Sequence, residues 1–210
     1  MKITVIGAGN MGSAFVKQLT RAGHQVSVTA RDAAKAARVA ADNPGAKAVA
    51  ASSAADNADA IVLATGYADA AAALRGAGKL DGKVVVDITN PMTADYMGLT
   101  IGHDTSAAEE IAKAVPGAEV VKAFNTVFAQ VLAEGADFGD GRKAEVFVAS
   151  DSERAKQTAR AIAESIGFDV VDAGGLKNAR YLEPLAALNI YLGYGAGLGT
   201  GIAPVWIRKA

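Results

Sequence analysis

A glycine-rich turn near the start of the chain has the residue types and the spacing that can hold a phosphate group. Gly7, Gly9 and Gly12 form the pattern G-x-G-x-x-G directly after the apolar segment 2–6. Gly7 permits a sharp turn, Gly9 leaves no Cβ between the backbone and a pyrophosphate, and Gly12 lets a helix pack closely on the strand. The N-terminus of that helix favours an anion. Together with a second apolar strand at 25–29, the pattern predicts a dinucleotide-binding unit.

The residues at the end of the second strand indicate which dinucleotide is bound. Folds that are specific for NAD carry Asp or Glu about 20 residues after the glycines, where the carboxylate accepts a hydrogen bond from the ribose 2′-hydroxyl. This chain has Thr29, Ala30 and Arg31 there. A carboxylate would repel a 2′-phosphate, whereas Thr29 can donate a hydrogen bond to one and Arg31 can bind it through charge-assisted contacts. The expected cofactor is therefore NADP(H).

Two neighbouring residues each allow two interpretations. Asp32 either pairs with Arg31 or caps the next helix, for which its side chain is well suited. Lys35, one turn into that helix, is either a second cation for the 2′-phosphate or an ordinary solvated lysine.

The sequence offers few candidates for acid–base or metal chemistry. For hydride transfer between two stacked rings, the protein mainly has to position the rings and exclude water. Reduction of a ketone or an imine would also require a proton donor, for which His103 in the irregular stretch 92–104 and Tyr67 are the first candidates. The chain has no cysteine and only two histidines, so we expect no metal centre.

Length and composition limit the class of protein. A chain of 210 residues is expected to form one domain with a C-terminal elaboration. The net charge of −1 shows no basic excess, so neither nucleic acid nor an anionic membrane surface is an expected partner. The sequence begins directly with a strand and has no apolar run long enough to span a bilayer, and we therefore expect a cytoplasmic protein.

Predicted strands and helices alternate along the chain. The segments 59–65 and 83–88 are apolar runs typical of strands that are buried on both faces of a parallel sheet, and 119–123 is predicted to be another strand. The predicted fold class is α/β, a doubly wound, mostly parallel Rossmann sheet. The ends of these three strands, at Thr65, Asn90 and Phe124-Asn125, should meet at the same edge as the glycine turn.

The last part of the chain has a different character. Residues 174–210 begin with a helix and continue into the glycine-rich, nearly uncharged stretch 191–206. An exposed segment of this composition would be a liability. We expect it to form a helical, glycine-rich elaboration that covers a flat apolar pocket for a ring-shaped acceptor, packs in a homodimer interface, or does both. A place in the core is the remaining alternative.

Several segments resemble a known family. The segments 7–12 with 29–31, 86–91 and 121–126 resemble the NADP-dependent coenzyme F420 oxidoreductases, and 172–183 also resembles the cytoplasmic NADPH-binding domain of the STEAP metalloreductases. The resemblance extends over almost the whole chain. It implies an oxidoreductase that transfers hydride between NADPH and a deazaflavin or flavin, with coenzyme F420 or FMN/FAD as the second cofactor.

The resemblance also implies a role for particular residues. Pyrophosphate would lie on Gly9, Asn10 and Met11, the 2′-phosphate on Thr29, Arg31 and Lys35, the nicotinamide ribose near Ala64 and Thr65, and the nicotinamide ring near Asn90, Phe124 and Asn125. The acceptor ring would stack on it under the C-terminal segment. Residues 92–104 contain no motif assignable to deazaflavin binding. Two other functions therefore remain open, a sensor that binds NADP(H) without turnover and an NADPH-dependent reductase of a small ketone or imine.

Overall fold

The apolar segments of the sequence form the strands of a parallel sheet. The computed structural model describes residues 1–139, 141–207 and 209. The strands are β1 (Lys2–Ile6), β2 (Gln25–Thr29), β3 (Lys47–Ala48), β4 (Ala60–Leu63), β5 (Val84–Asp87), β6 (Glu119–Lys122), β7 (Glu145–Val148) and β8 (Asp169–Asp172). The helices are α1 (Asn10–Arg21), α2 (Ala33–Ala41), α3 (Tyr67–Arg75), α4 (Ala107–Ala114), α5 (Ala129–Glu134), α6 (Glu153–Ser165) and α7 (Ala179–Ile190).

The order of the strands confirms the predicted fold class. Six parallel strands lie in the order β3-β2-β1-β4-β5-β6, in which β1 separates the two halves of the sheet. In such a sheet the crevice beyond the carboxyl end of the central strand is the usual ligand site. Strands β7 and β8 form a separate parallel pair, which meets the main sheet through an antiparallel bridge between Lys122 and Ala149.

Alternating side chains of each central strand fill two separate cores. Ile3 and Val5 of β1 belong to the apolar core on one side of the sheet, which also contains buried residues of α1, α5 and α6. Ile6 of β1 and Ile61 and Leu63 of β4 belong to the core on the other side, with buried residues of α3 and α4. The continuous apolar runs of these strands therefore reflect burial on both faces. No helix in the described part of the chain is long and apolar enough to cross a membrane.

The C-terminal segment folds back along the second pair of strands. A π-helical turn at Tyr191–Gly195 continues α7, and the chain then runs without regular structure to residue 207. The indole ring of Trp206 packs edge-on against Phe147 at 5.3 Å, and its backbone N–H donates to Glu145 at 2.7 Å. Several large apolar side chains of α7 and this segment stay exposed, namely Tyr181, Leu188, Tyr191, Leu198, Trp206 and Ile207.

Helices α4 and α7 are joined by a two-point ion pair. The guanidinium group of Arg180 donates to both carboxylate oxygens of Glu109, at 2.7 and 2.8 Å, and the hydroxyl of Ser106 donates to the same carboxylate at 2.8 Å. These bonds, that of Arg180 first, lower the pKa of the Glu109 carboxyl. A carboxyl whose pKa is lowered by folding stabilises the fold above its ordinary pKa, and this contribution is lost as the pH falls through the folded value.

We predict that Glu109→Gln lowers the melting temperature by about 2 °C at pH 7, because a partly exposed but two-point ion pair is lost. The difference from the wild type should shrink as the pH falls below 4.5, the ordinary value for the carboxyl. Melting curves at pH 7 and at pH 3 measure both effects. Glu164→Gln, at an exposed pair within α6, is the matched control and should change little. A pH-independent difference would contradict the assignment.

Candidate functional site

A long trough crosses the carboxyl edge of the sheet. One cavity of about 440 Å³ lies over the ends of β5 and β6, and a second of about 430 Å³ lies over the end of β2. Gly9, Thr65 and Gly66 line both cavities, so the two join beside the glycine turn. The trough therefore has the position and the two-part shape that an extended dinucleotide requires.

The three glycines of the turn do different things. Gly7 has φ +126°, and a Cβ there would lie 2.2 Å from the carbonyl oxygen of Ala64. A Cβ on Gly12 would lie 1.9 Å from the carbonyl oxygen of Gly7. The helix packs so closely on the turn that no side chain fits at this position. A Cβ on Gly9 would meet nothing within 4 Å. Its bare backbone faces the open trough, where a ligand can approach it closely.

Helix α1 presents its N-terminus to the trough. The helix begins at Asn10, and its N-cap residue Gly9 supplies no side-chain cap. Asn10 and Met11 line the cavity that lies over β5 and β6. The N–H groups of a first helical turn have no partner within the helix, so they and the helix dipole are suited to an anion.

The cavity over β2 contains all three residues expected to bind a 2′-phosphate. Thr29, Arg31 and Lys35 line it, and Thr29 is buried at the end of its strand. Arg31 has an exposed side chain, 90% accessible, and approaches the carboxylate of Asp69 at 3.5 Å. An exposed pair of this length contributes little and leaves the guanidinium group free to bind an anion. No pattern in the sequence predicts Asp69 beside Arg31.

The two interpretations of Asp32 are separated by its hydrogen bonds. Its carboxylate accepts from the backbone N–H groups of Ala34 at 3.0 Å and Lys35 at 3.3 Å, and it caps α2. The capping interpretation is thus confirmed, and the ion pair of Arg31 is made with Asp69. The side chain of Lys35 lines the cavity, in reach of the same region.

Asn90 and Asn125 are hydrogen-bonded to each other at the far end of the trough. The Asn90 amide donates from Nδ2 to the backbone oxygen of Asn125 at 2.8 Å. The Asn125 amide donates from Nδ2 to Oδ1 of Asn90 at 3.1 Å and to the backbone oxygen of Leu182 at 2.9 Å. These bonds tie the ends of β5 and β6 to α7, and they fix both amides in one orientation. Both residues line the cavity, together with Ala64 and Thr65.

Phe124 lines the cavity over β5 and β6, where the resemblance implied the nicotinamide ring, while its phenyl group is buried in the core. Its ring packs edge-on against Phe15 at 5.0 Å and Phe168 at 6.0 Å, and the residue is 0% exposed. Its backbone adopts φ +58°, a conformation that costs a non-glycine residue about 1–3 kcal/mol. The ring is therefore an anchor in the core beneath the cavity, and the strained backbone turns Asn125 toward it.

The C-terminal helix supplies one wall of the same cavity. The residues of this wall are Ala186, Asn189, Ile190 and Tyr194, and the long loop adds Met92 and Tyr96 to the lining. Asn189 holds this wall in place by donating to the backbone oxygen of Thr126 at 3.0 Å. Among the described residues that line the cavity there is no Asp, Glu, Lys, Arg or His side chain. The cavity is thus suited to a flat, uncharged ring system.

The two candidate proton donors lie outside this lining. His103 is exposed in the loop before α4, with φ +60°. Tyr67 is the first residue of α3 and is half-buried against the core of that side. Burial raises the pKa of its phenol, and the carboxylates of Glu110, Glu183 and Asp87 raise it further. The structure brings neither residue into contact with the cavity over β5 and β6.

A buried charge cluster behind the cavity was missed by the sequence reasoning. Nζ of Lys122 lies 2.7 Å from Oδ2 of Asp87 and 2.9 Å from Oε1 of Glu183, and it donates to the backbone oxygen of Thr89 at 2.6 Å. All three charged residues are at most 1% exposed. The available signal was a charged residue at the end of each of two apolar strands, because a buried charge requires a partner.

The other end of the cluster fixes helix α4. The Glu183 carboxylate accepts from the backbone N–H groups of Ala107 at 2.8 Å and Ala108 at 3.2 Å, so it caps that helix from α7. Oδ1 of Asp87 accepts from the backbone N–H of Thr89 at 2.8 Å. We name Asp87, Lys122 and Glu183 the buried charge cluster. In the part of the chain that the structure describes, no group of three or more His, Cys, Asp or Glu side chains could hold a metal ion.

Comparison with known proteins identifies relatives that share both fold and sequence. Residues 2–91 match the family model described as NADP oxidoreductase, coenzyme F420-dependent. The F420-dependent NADP reductase of Methanothermobacter marburgensis is 32% identical over 209 residues, which cover 91% of this chain and 92% of that protein. Metalloreductase STEAP3 of Rattus norvegicus is 28% identical over 185 residues, and the match covers 88% of this chain but only 36% of that longer protein.

Solved structures also include relatives that share this fold. The crystal structure of a candidate F420-dependent NADP reductase from Arthrobacter sp. FB24 superposes with a TM-score of 0.88 at 30% identity, over 99% of this chain and 100% of that one. A reductive aminase from Aspergillus terreus in complex with NADPH superposes with a TM-score of 0.69 at 19% identity, over 93% of this chain and 62% of the aminase. At that identity the second likeness shows the fold alone.

Proposed function

The chain belongs to the coenzyme F420-dependent NADP oxidoreductase family and is an NADP-dependent oxidoreductase, and we propose that it transfers hydride between NADPH and a deazaflavin of the F420 type. The observation that carries the proposal is the two-part trough. One part has the cations for a 2′-phosphate, and the other is an uncharged cavity behind the glycine turn. A ring that gives or takes a hydride needs positioning and a dry site there, since the cofactors supply the chemistry.

We place NADP(H) along the trough by the contacts available to each of its parts. The 2′-phosphate lies against Thr29, Arg31 and Lys35, which line one cavity. The pyrophosphate lies on Gly9, Asn10 and Met11 at the N-terminus of α1. The nicotinamide ribose lies near Ala64 and Thr65, and the ring lies over the pair Asn90 and Asn125, all of which line the cavity over β5 and β6.

The acceptor has a place beside the nicotinamide in this proposal. The cavity over β5 and β6 continues to the wall made by α7 and the π-helical turn, whose side chains Ile190 and Tyr194 are apolar and aromatic. Residues 174–210 would thus cover the acceptor as part of a single domain of 210 residues. The edge-on contact between Phe128 and Tyr194, at 5.8 Å, supports this wall from below.

We also propose that the protein is a cytoplasmic homodimer. Helix α7 and the π-helical turn that continues it expose three large apolar side chains at a spacing of one to two turns, Tyr181, Leu188 and Tyr191. An apolar helix face of this kind favours association with another protein surface. A second copy of this chain is the simplest partner for that face. The mass in solution, measured by light scattering, tests the dimer.

The acceptor is tested by mixing the protein with NADPH and each candidate in turn. We expect NADPH absorbance at a fixed enzyme concentration to fall rapidly with coenzyme F420 and slowly or not at all with FMN, FAD, cyclohexanone or a cyclic imine. His103→Ala and Tyr67→Phe should leave the rate with F420 within about twofold, since neither side chain lines the cavity. No turnover with any deazaflavin or flavin would contradict the proposal.

Two results of the same experiment would favour the alternatives. Tight NADPH binding without turnover of any acceptor would indicate a sensor. Fast reduction of the ketone or imine, with a sharp loss of rate in His103→Ala or Tyr67→Phe, would indicate a small-molecule reductase that uses a protein proton donor.

A further inference from the structure

The buried charge cluster contains two acidic side chains and one basic side chain. Nζ of Lys122 donates to the backbone oxygen of Thr89 at 2.6 Å and lies 2.7 Å from Oδ2 of Asp87 and 2.9 Å from Oε1 of Glu183. The carboxylates of Asp87 and Glu183 accept hydrogen bonds from backbone N–H groups. The acidic groups of the cluster therefore outnumber the basic one. The N-terminus of α4 offsets part of the charge on Glu183.

The cluster lies directly behind the cavity assigned to nicotinamide. Lys122 binds the backbone oxygen of Thr89, and the next residue, Asn90, lines the cavity. Glu183 is on α7 one turn before Ala186, which lines the cavity wall. All three charges are removed from water, so their fields are screened weakly.

The field of the cluster extends to the neighbouring element. Tyr67 follows Thr65 and Gly66 of the trough. Burial and then the charge of Glu110 raise the pKa of its phenol, the charges of Glu183 and Asp87 raise it further, and Lys122 lowers it. The acidic and basic members of the cluster thus act on the phenol in opposite directions. A ring bound in the cavity beside Asn90 is expected to respond in the same way.

Nicotinamide is a ligand whose charge changes in the reaction. NADPH gives a hydride, two electrons and one proton, from C4 of its ring to the acceptor, and the acceptor also takes one proton from water. The ring that remains in NADP⁺ is cationic. A negative environment therefore favours the oxidised ring over the reduced one.

We propose that Asp87, Lys122 and Glu183 set the preference of this site for oxidised over reduced nicotinamide and so favour hydride donation from NADPH. The inference rests on the proposed function for the position of the ring. The two carboxylates favour NADP⁺, and Lys122 opposes them. The cluster acts through its field and has no contact with the reacting atoms.

The test is the ratio of the dissociation constants of NADP⁺ and NADPH in variants that change one charge each. Glu183→Gln should raise the ratio Kd(NADP⁺)/Kd(NADPH) by about tenfold, the effect of one unit charge at roughly 10 Å in an effective dielectric near 20. Asp87→Asn should raise it in the same direction. Lys122→Met should lower it by a similar factor. A structural role alone cannot produce shifts of opposite sign.

The ratio Kd(NADP⁺)/Kd(NADPH) does not depend on the folding stability of each variant. Removing one partner of a buried ion pair is destabilising, and part of each variant will be unfolded. Both forms of the cofactor bind only the folded fraction, so this fraction cancels in the ratio. Glu164→Gln, an exposed carboxylate on α6 that does not line either cavity, is the control and should leave the ratio unchanged.

The outcomes separate this inference from the proposed function. Shifts below twofold, or shifts of one sign in all three cluster variants, overturn the inference while NADPH binding in the wild type leaves the proposed function standing. Opposite shifts support the inference even where no deazaflavin is turned over, which overturns the proposed acceptor alone. Failure of the wild type to bind either form of the cofactor overturns both.

Discussion

Gly9→Ala is expected to weaken NADPH binding by at least about 100-fold while leaving the melting temperature of the free protein unchanged. The added Cβ meets no protein atom within 4 Å, and Gly9 already has φ −83°, which alanine adopts without strain. The methyl group would instead occupy the space between the backbone and the pyrophosphate. Two charge-assisted bonds to the phosphates, each worth about 1.5–3 kcal/mol, would then be lost. Titration calorimetry and a melting curve measure the two effects separately.

Gly12→Ala is the matched comparison within the same turn. Its Cβ would lie 1.9 Å from the backbone oxygen of Gly7, a contact that no side-chain movement relieves. This variant should lose stability by several degrees or fail to fold, because overpacking forces the backbone to move. If Gly9→Ala bound NADPH as the wild type does, the pyrophosphate would not lie on this turn. If it instead melted as early as Gly12→Ala, the open space above Gly9 would be in doubt.

Arg31→Ala is expected to weaken NADPH binding far more than NADH binding. The two cofactors differ only in the 2′-phosphate, and Arg31 lines the cavity in which we place that group. Losing a charge-assisted contact should cost about 1.5–3 kcal/mol, on the order of tenfold or more in affinity. Lys35→Ala should act in the same direction with a smaller effect. Dissociation constants for both cofactors at one fixed salt concentration are required, because salt screens this interaction.

The control for Arg31 is another exposed cation of the same region. Arg38 is on helix α2 but does not line the cavity, so Arg38→Ala should leave both affinities within about twofold. Asp69→Asn should tighten NADPH slightly, because the carboxylate 3.5 Å from Arg31 competes with the phosphate for the guanidinium group. Equal losses for NADPH and NADH in Arg31→Ala would overturn the assignment of the 2′-phosphate.

Local patterns were sufficient to predict the glycine turn. The roles of Gly7, Gly9 and Gly12 depend on a turn between two elements that are adjacent in the sequence, so their spacing alone predicts the geometry. The sequence left two interpretations of Asp32 open. The structure shows that Asp32 caps α2 and that Arg31 pairs instead with Asp69, which lies on a different helix. A pair 38 residues apart cannot be read from the spacing of either residue.

The fold class and the edge of the sheet at which the trough lies follow from the sequence alone, because strand periodicity and glycine spacing are local and the carboxyl edge of a parallel sheet follows from them. What lies behind the cavity over β5 and β6 depends on the tertiary structure. The register of β5 on β6 sets Asp87 beside Lys122, and the return of α7 sixty residues later adds Glu183. Those contacts depend on long-range packing, and so does the burial of the Phe124 ring beneath the cavity.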